Sequence, residues 1–155
     1  MRTLPSQLDH LFAMNEVRVY MTLAARSRSD VRLASFRPSW ELMRERHSGV
    51  VGLVPDALVE LEVEGQGVRA VALEVDMSTE SPAYLARRKL GRYRALLGAG
   101  VPVYGHADVA VFVVARGERR LRALASALAD AGVREGVVLG DLDALDERSV
   151  LDLAL

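Results

Sequence analysis

Three acids, Asp56, Glu74 and Asp76, sit at the ends of two apolar-alternating runs joined by Gly65, Gln66 and Gly67. With that triplet as a hairpin loop, alternation pairs Ala57 with Val75, Val59 with Leu73 and Leu61 with Val71, all on one face. The same register sets Asp56 across from Asp76 and diagonal to Glu74, with opposed Cβ atoms about 5 Å apart and diagonal ones about 7 to 8 Å. Like charges that close call for a compensating cation or a raised pKa. Asp56, Glu74 and Asp76 are therefore candidate ligands of a hard divalent ion, Mg²⁺ or Mn²⁺. Such an ion neutralises a phosphodiester, lowers the pKa of bound water and holds a leaving oxygen. The competing reading is a solvated strand face with an ordinary Pro55-Asp56 turn start.

A basic stretch follows. Residues 84–97 carry Arg87, Arg88, Lys89, Arg92 and Arg94 and no acid. On a helix, Lys89 and Tyr93 share one face, and Arg88 and Arg92 form a parallel charged row suited to tracking phosphates. Arg88, Arg92 and Tyr93 are thus candidate DNA contacts, against the plainer reading of a solvated helix face. The formal net charge of −1 decides nothing about a polyanionic partner, because the charges are segregated along the chain.

Other chemistries find little support. Without cysteine there is no thiol nucleophile or thiolate metal site, and His10, His47 and His106 are far apart in sequence. Neither a nucleophile elbow nor a phosphate-binding glycine loop is present. His10 reads as structural, His106 as a surface residue, Trp40 as the cover of a core edge, and Asp141 as a helix N-cap.

The elements that must position these residues follow from periodicity. Residues 7–28 read as an amphipathic helix capped by Ser6; VRLASF is a strand interrupted by Pro38; SWELMRERHSG is a short helix or an irregular loop. Residues 50–64 and 68–77 form the hairpin, and Ser81-Pro82 caps and opens a helix to about Leu97. The loop GAGVPVYGHAD leads to a buried strand in DVAVFVVA, then a second amphipathic helix, a short strand in GVVLG and an acidic last helix. The expectation is a single domain over residues 1–155, with a mixed sheet covered by helices. It has no spanning segment or secretory signal, which points to the cytoplasm and away from a membrane partner.

With Pro55-Asp56, Glu74-Val75-Asp76, Lys89 and Tyr93 in view, the chain resembles the PD-(D/E)XK nuclease superfamily. More narrowly, it is similar to the nuclease-like domain of the bacterial replication-relaxation family, through LDHLFAMNEVRVYMTLAARSR, Trp40-Glu41, LVPDALVEL, ALEVDMSTES and KLGRYRALL. The resemblance covers residues 8 to 97. It implies an α+β restriction-endonuclease-like core in the order αβββαβαβ, and a DNA-cleaving site or a relic of one in plasmid or mobile-element replication and mobilisation. By position, it implies Asp56 and Glu74 as catalytic metal ligands, with Glu16 or Glu41 as a helix-borne acid. Where the superfamily has a lysine two residues after the acid, this chain has Asp76, so Lys89 would supply the cation from the next helix. Family members often carry an N-terminal winged-helix domain, which implies either a piece of a longer protein or a domain that borrows its DNA specificity. A catalytically silent DNA- or protein-binding module, or a homodimeric scaffold, would use the same fold.

Overall fold

The structure is a computed structural model, and it describes residues 4–44, 53–133 and 135–155. Helix α1 (Leu4–Ser27) leads into strand β1 (Val31–Pro38), a short α2 (Ser39–Arg44), and the hairpin strands β2 (Ala57–Val63) and β3 (Gly67–Asp76). One helical rod follows in three parts: α3 (Pro82–Tyr84), a π-helical segment (Leu85–Leu90) and α4 (Gly91–Gly98). Strand β4 (Val109–Ala115), α5 (Glu118–Asp130), β5 (Val137–Asp141) and α6 (Val150–Ala154) complete the chain.

The sheet order is β1-β2-β3-β4-β5. β1, β2 and β3 form an antiparallel meander, and β4 and β5 join it in parallel through helical crossovers. This is the mixed, helix-covered sheet expected from the element order. Pro38 ends the edge strand β1, where its missing N–H breaks no interior ladder.

Both sheet faces are buried. One packs Val59, Leu61, Val71, Leu73, Phe112 and Val114 against Met14, Val17 and Met21 of α1 and Val150 and Leu151 of α6. The other packs Leu58, Ala72, Val111 and Val113 against Leu90 and Tyr93 of the rod and Leu124 of α5. Double coverage explains why β4 is apolar throughout. It also overturns the solvated-strand reading of the acids, since Glu74 and Asp76 lie on the second face, beneath the helices.

The hairpin register differs from the one that alternation suggested. Ala57 pairs with Leu73, Val59 with Val71 and Val63 with Gly67, a slip of two residues. An even slip leaves every side chain on its face, so apolar alternation fits both registers and the turn decides between them. The Gln66 N–H donates to the Val63 carbonyl at 3.0 Å, with Gly65 at φ 73° in the third turn position, where a left-handed residue is required. The ladder is thereby set so that Asp56 lies across from Glu74, and Asp76 lies beyond both.

Smaller differences follow from local chemistry. Helix α1 begins at Leu4, ahead of the expected Ser6 cap. Asp141 does not cap a helix: it ends β5, and its carboxylate accepts the Gly117 and Asp143 N–H groups. Asp146 instead organises the approach to α6, accepting the N–H groups of Arg148 and Ser149. The Ser81 cap is present, its hydroxyl accepting the Tyr84 N–H at 3.2 Å, with Pro82 opening the helix. The strand expected over residues 50–64 starts at Ala57; its first three residues, like His47, lie outside the described residues. Among the described residues no helix is long and apolar enough to cross a membrane.

Candidate functional site

Glu74 is the centre of the site. It lies near the end of β3, between β2 and β4, and its side chain is only 2% exposed beneath the helical rod. Two residues of the rod take its two oxygens. The Lys89 ammonium forms an ion pair with Oε2, and the Tyr93 hydroxyl donates to Oε1 at 3.0 Å. The four-residue spacing of Lys89 and Tyr93 brings both to one carboxylate.

Asp56 lies across the ladder. One of its oxygens, Oδ2, accepts the Val75 N–H at 2.7 Å and approaches His10 Nε2 at 3.1 Å. Burial pushes the Asp56 carboxyl up, yet His10 and Lys89 hold it below the ordinary value. Burial pushes Glu74 up to about 7, even with the Lys89 charge pulling it down. For Lys89 burial acts downward, but the charges of Glu74 and Asp56 outweigh it and leave the ammonium above its usual value. The pattern is two unlike carboxyls sharing one lysine, one readily ionised and the other reluctant.

A π-helical segment positions the lysine. Its wider turn is closed by the Gly91 N–H donating to the Ala86 carbonyl, five residues back. A Cβ at position 91 would lie 3.1 Å from that oxygen, so glycine relieves the closest approach in the wide turn. Such segments are rare and occur often at functional sites.

Asp76 borders the same small cavity as Asp56 and Glu74 but takes a different partner. Arg120 of α5 takes it in a two-pronged grip, Nε to Oδ2 at 2.6 Å and Nη2 to Oδ1 at 3.0 Å, while the Ser78 N–H donates to Oδ1 at 2.9 Å. Arg120 also donates to the Glu80 carbonyl at 2.7 Å, tying the end of β3 to the segment that enters the rod. The expectation that Asp56 pairs across the ladder with Asp76 is therefore corrected. The two-residue register slip removes Asp76 from opposite Asp56, and an arginine some forty residues downstream neutralises it.

The donor set can be tested against Mg²⁺ or Mn²⁺. Asp56, Glu74, Asp76 and Lys89 border a cavity of about 30 Å³, the scale of a single water. Both Glu74 oxygens are engaged, Asp56 Oδ2 is shared by His10 and a backbone N–H, and a lysine stands where a cation would. Among the described residues no three of His, Cys, Asp and Glu are grouped to hold a metal ion. As arranged, these side chains do not fit a divalent cation.

A larger groove of about 710 Å³ opens beside this cavity and shares Lys89 and Glu80 with it. Arg87, Arg88, Arg92 and Tyr84 of the rod line it, with Leu53 and Val54. Arg88 and Arg92 are exposed and line this groove. Tyr93 does not: it is completely buried and its hydroxyl is committed to Glu74, so the expectation of a DNA contact there gives way to a role in holding the acid.

The expected helix-borne acids are elsewhere. Glu16 accepts the Tyr20 hydroxyl at 3.0 Å and lies 3.7 Å from Arg116, and Glu41 is exposed on α2. The α1 residue that reaches Asp56 is His10, whose three-, four- and seven-residue spacing to Ala13, Met14 and Val17 marks the core-facing side of α1. Arg120 carries no comparable signal in sequence. His106 pairs with Glu60, its Nε2 2.9 Å from Oε1, and Trp40 is 44% exposed rather than covering a core edge.

Searches among curated proteins and among solved structures found no match. The family model described as Replication-relaxation matches residues 1–109, from α1 to the first residue of β4, and so includes His10, Asp56, Glu74, Lys89 and Tyr93. With 109 of its 155 residues matched, this chain belongs to the replication-relaxation family.

Proposed function

We propose that this domain binds DNA in plasmid or mobile-element replication or mobilisation, through a nuclease-like scaffold of the PD-(D/E)XK type. The observation that carries this reading is the arginine-lined groove that meets the acid–lysine cluster at Lys89. Guanidinium groups along a concave surface suit backbone phosphates. Lys89 then belongs to two structures at once: it is paired with Glu74 and it also lines the groove.

DNA affinity is expected to fall steeply with salt, as released counterions dictate. Arg88→Ala combined with Arg92→Ala should lower the slope of log affinity against log salt by about 2, roughly one for each lost phosphate contact. Fluorescence anisotropy across a salt series checks this. Affinity indifferent both to salt and to these changes would remove nucleic acid from the reading.

A second reading is phosphodiester hydrolysis, supported by the pairing of Lys89 with Glu74 at a cavity that Asp56 also borders. The engaged carboxylates favour binding without cleavage. Supercoiled plasmid incubated with the protein and Mg²⁺ or Mn²⁺ is expected to stay intact. Metal-dependent nicking that disappears in Asp56→Ala and Glu74→Ala would establish hydrolysis in its place.

A further inference from the structure

We infer that the groove takes unpaired DNA, with Tyr84 as a stacking platform for a base. The inference rests on the DNA-binding reading above and names the form of DNA that the groove accepts.

The groove is made of two kinds of surface. Arg87, Arg88, Lys89 and Arg92 give it positive charge beside the acid Glu80, while exposed Tyr84 and half-buried Val54 give it apolar surface. Tyr84 is 53% exposed although it sits in the first turn of a helical rod whose neighbouring residues Leu85 and Ala86 are buried. Its backbone is held by the Ser81 cap, which fixes where the ring emerges. The Leu53–Val54 part of the lining is held as well: the Leu53 carbonyl accepts the Tyr104 hydroxyl at 3.1 Å.

A duplex hides the faces of its bases in the stack and offers a protein phosphates and base edges. Only an unpaired strand presents both a phosphate for the arginines and a base face for the tyrosine and the apolar wall. The combination of a positive groove with an aromatic platform is the general means of holding single strands with little sequence preference. From Tyr84 to Arg92 the rod rises by about 12 Å, enough to follow more than one nucleotide. The order along the rod, aromatic first and arginines after, sets base and backbone side by side.

The test uses short dye-labelled DNA of one sequence, offered as a single strand and as a duplex, and measures anisotropy at matched salt with wild type, Tyr84→Ala and Tyr84→Phe. The single strand is expected to bind about tenfold more tightly than the duplex. Tyr84→Ala should weaken single-strand binding by about tenfold, weaken duplex binding far less, and be rescued by Tyr84→Phe. Equal affinities, or no effect of Tyr84→Ala, would overturn the inference; if Arg88→Ala with Arg92→Ala still weakens binding, the DNA-binding reading survives that failure. Absence of binding to either form at low salt would overturn both. Tighter binding of the matching RNA strand would overturn the assignment to DNA.

Discussion

Arg120→Ala is expected to cost about 3–5 kcal/mol of folding stability at pH 7, the range found when one partner of a buried ion pair is removed. The Asp76 side chain is 5% exposed and that of Arg120 15%, so solvent screens neither well. Without the guanidinium, Asp76 keeps the Ser78 N–H, and the Glu80 carbonyl loses its donor. Against a total stability of about 5–15 kcal/mol for a domain of this kind, the loss is a large share. Urea denaturation measures it. The companion variant, Asp76→Asn with Arg120→Met, should recover most of the loss, because neutral groups leave no buried charge behind. A cost below about 1 kcal/mol for Arg120→Ala would show that the pair behaves like an exposed one. The consequence for the site is direct, since this arginine anchors the segment from which the lysine-bearing rod departs.

Glu74→Gln should change how stability depends on pH. In the folded protein burial lifts this carboxyl from 4.5 to about 7. Between those values the unfolded chain has released the proton and the folded chain keeps it, so folding takes up a proton and stability falls as pH rises. At about 1.4 kcal/mol per pKa unit, the wild type loses roughly 3 kcal/mol across that window. Glutamine does not titrate, and its carbonyl can still accept the Tyr93 hydroxyl. The stability of the wild type relative to the variant is therefore expected to decline by about 3 kcal/mol from pH 4.5 to pH 8. Denaturation curves at the two pH values decide it, and parallel profiles would count against a proton held at this site. Asp56 acts with the opposite sign: its lowered pKa gives stability that is present above the unfolded value and lost as pH falls through the folded one, so measurements kept above pH 4 separate the two acids.

The sheet and its helices are legible in the sequence because local rules suffice for them. A continuous apolar run in β4, the glycines of the hairpin and the Ser81-Pro82 start each carry their own signal. The nearness of Asp56 and Glu74 is legible too, since either register of the hairpin keeps them close, whereas Lys89 joins them only through the family resemblance. Whether Asp56 faces Glu74 or Asp76 is not legible, because registers two residues apart bury the same faces. Arg120 is hidden for a different reason. It sits in an arginine-rich first turn where any of several side chains could have turned inward, and the packing of α5 on the sheet makes the choice. Alternation also misleads about burial: a strand that reads as half polar carries Glu74 inside a doubly covered sheet, where a lysine and a tyrosine compensate it.

The wide turn in the middle of the rod sets a phase. Each residue of a regular α-helix advances the side chain by about 100° around the axis. Removing one residue from Leu85–Leu90 would therefore turn everything on one side of the deletion by roughly a quarter revolution relative to the other. Tyr93 and Tyr84 could then no longer face their present surroundings together. The π-helical segment thus works as a fixed angular offset between an inward-looking helix and an outward-looking one, allowing a single rod to clamp a buried acid while displaying its arginines to solvent.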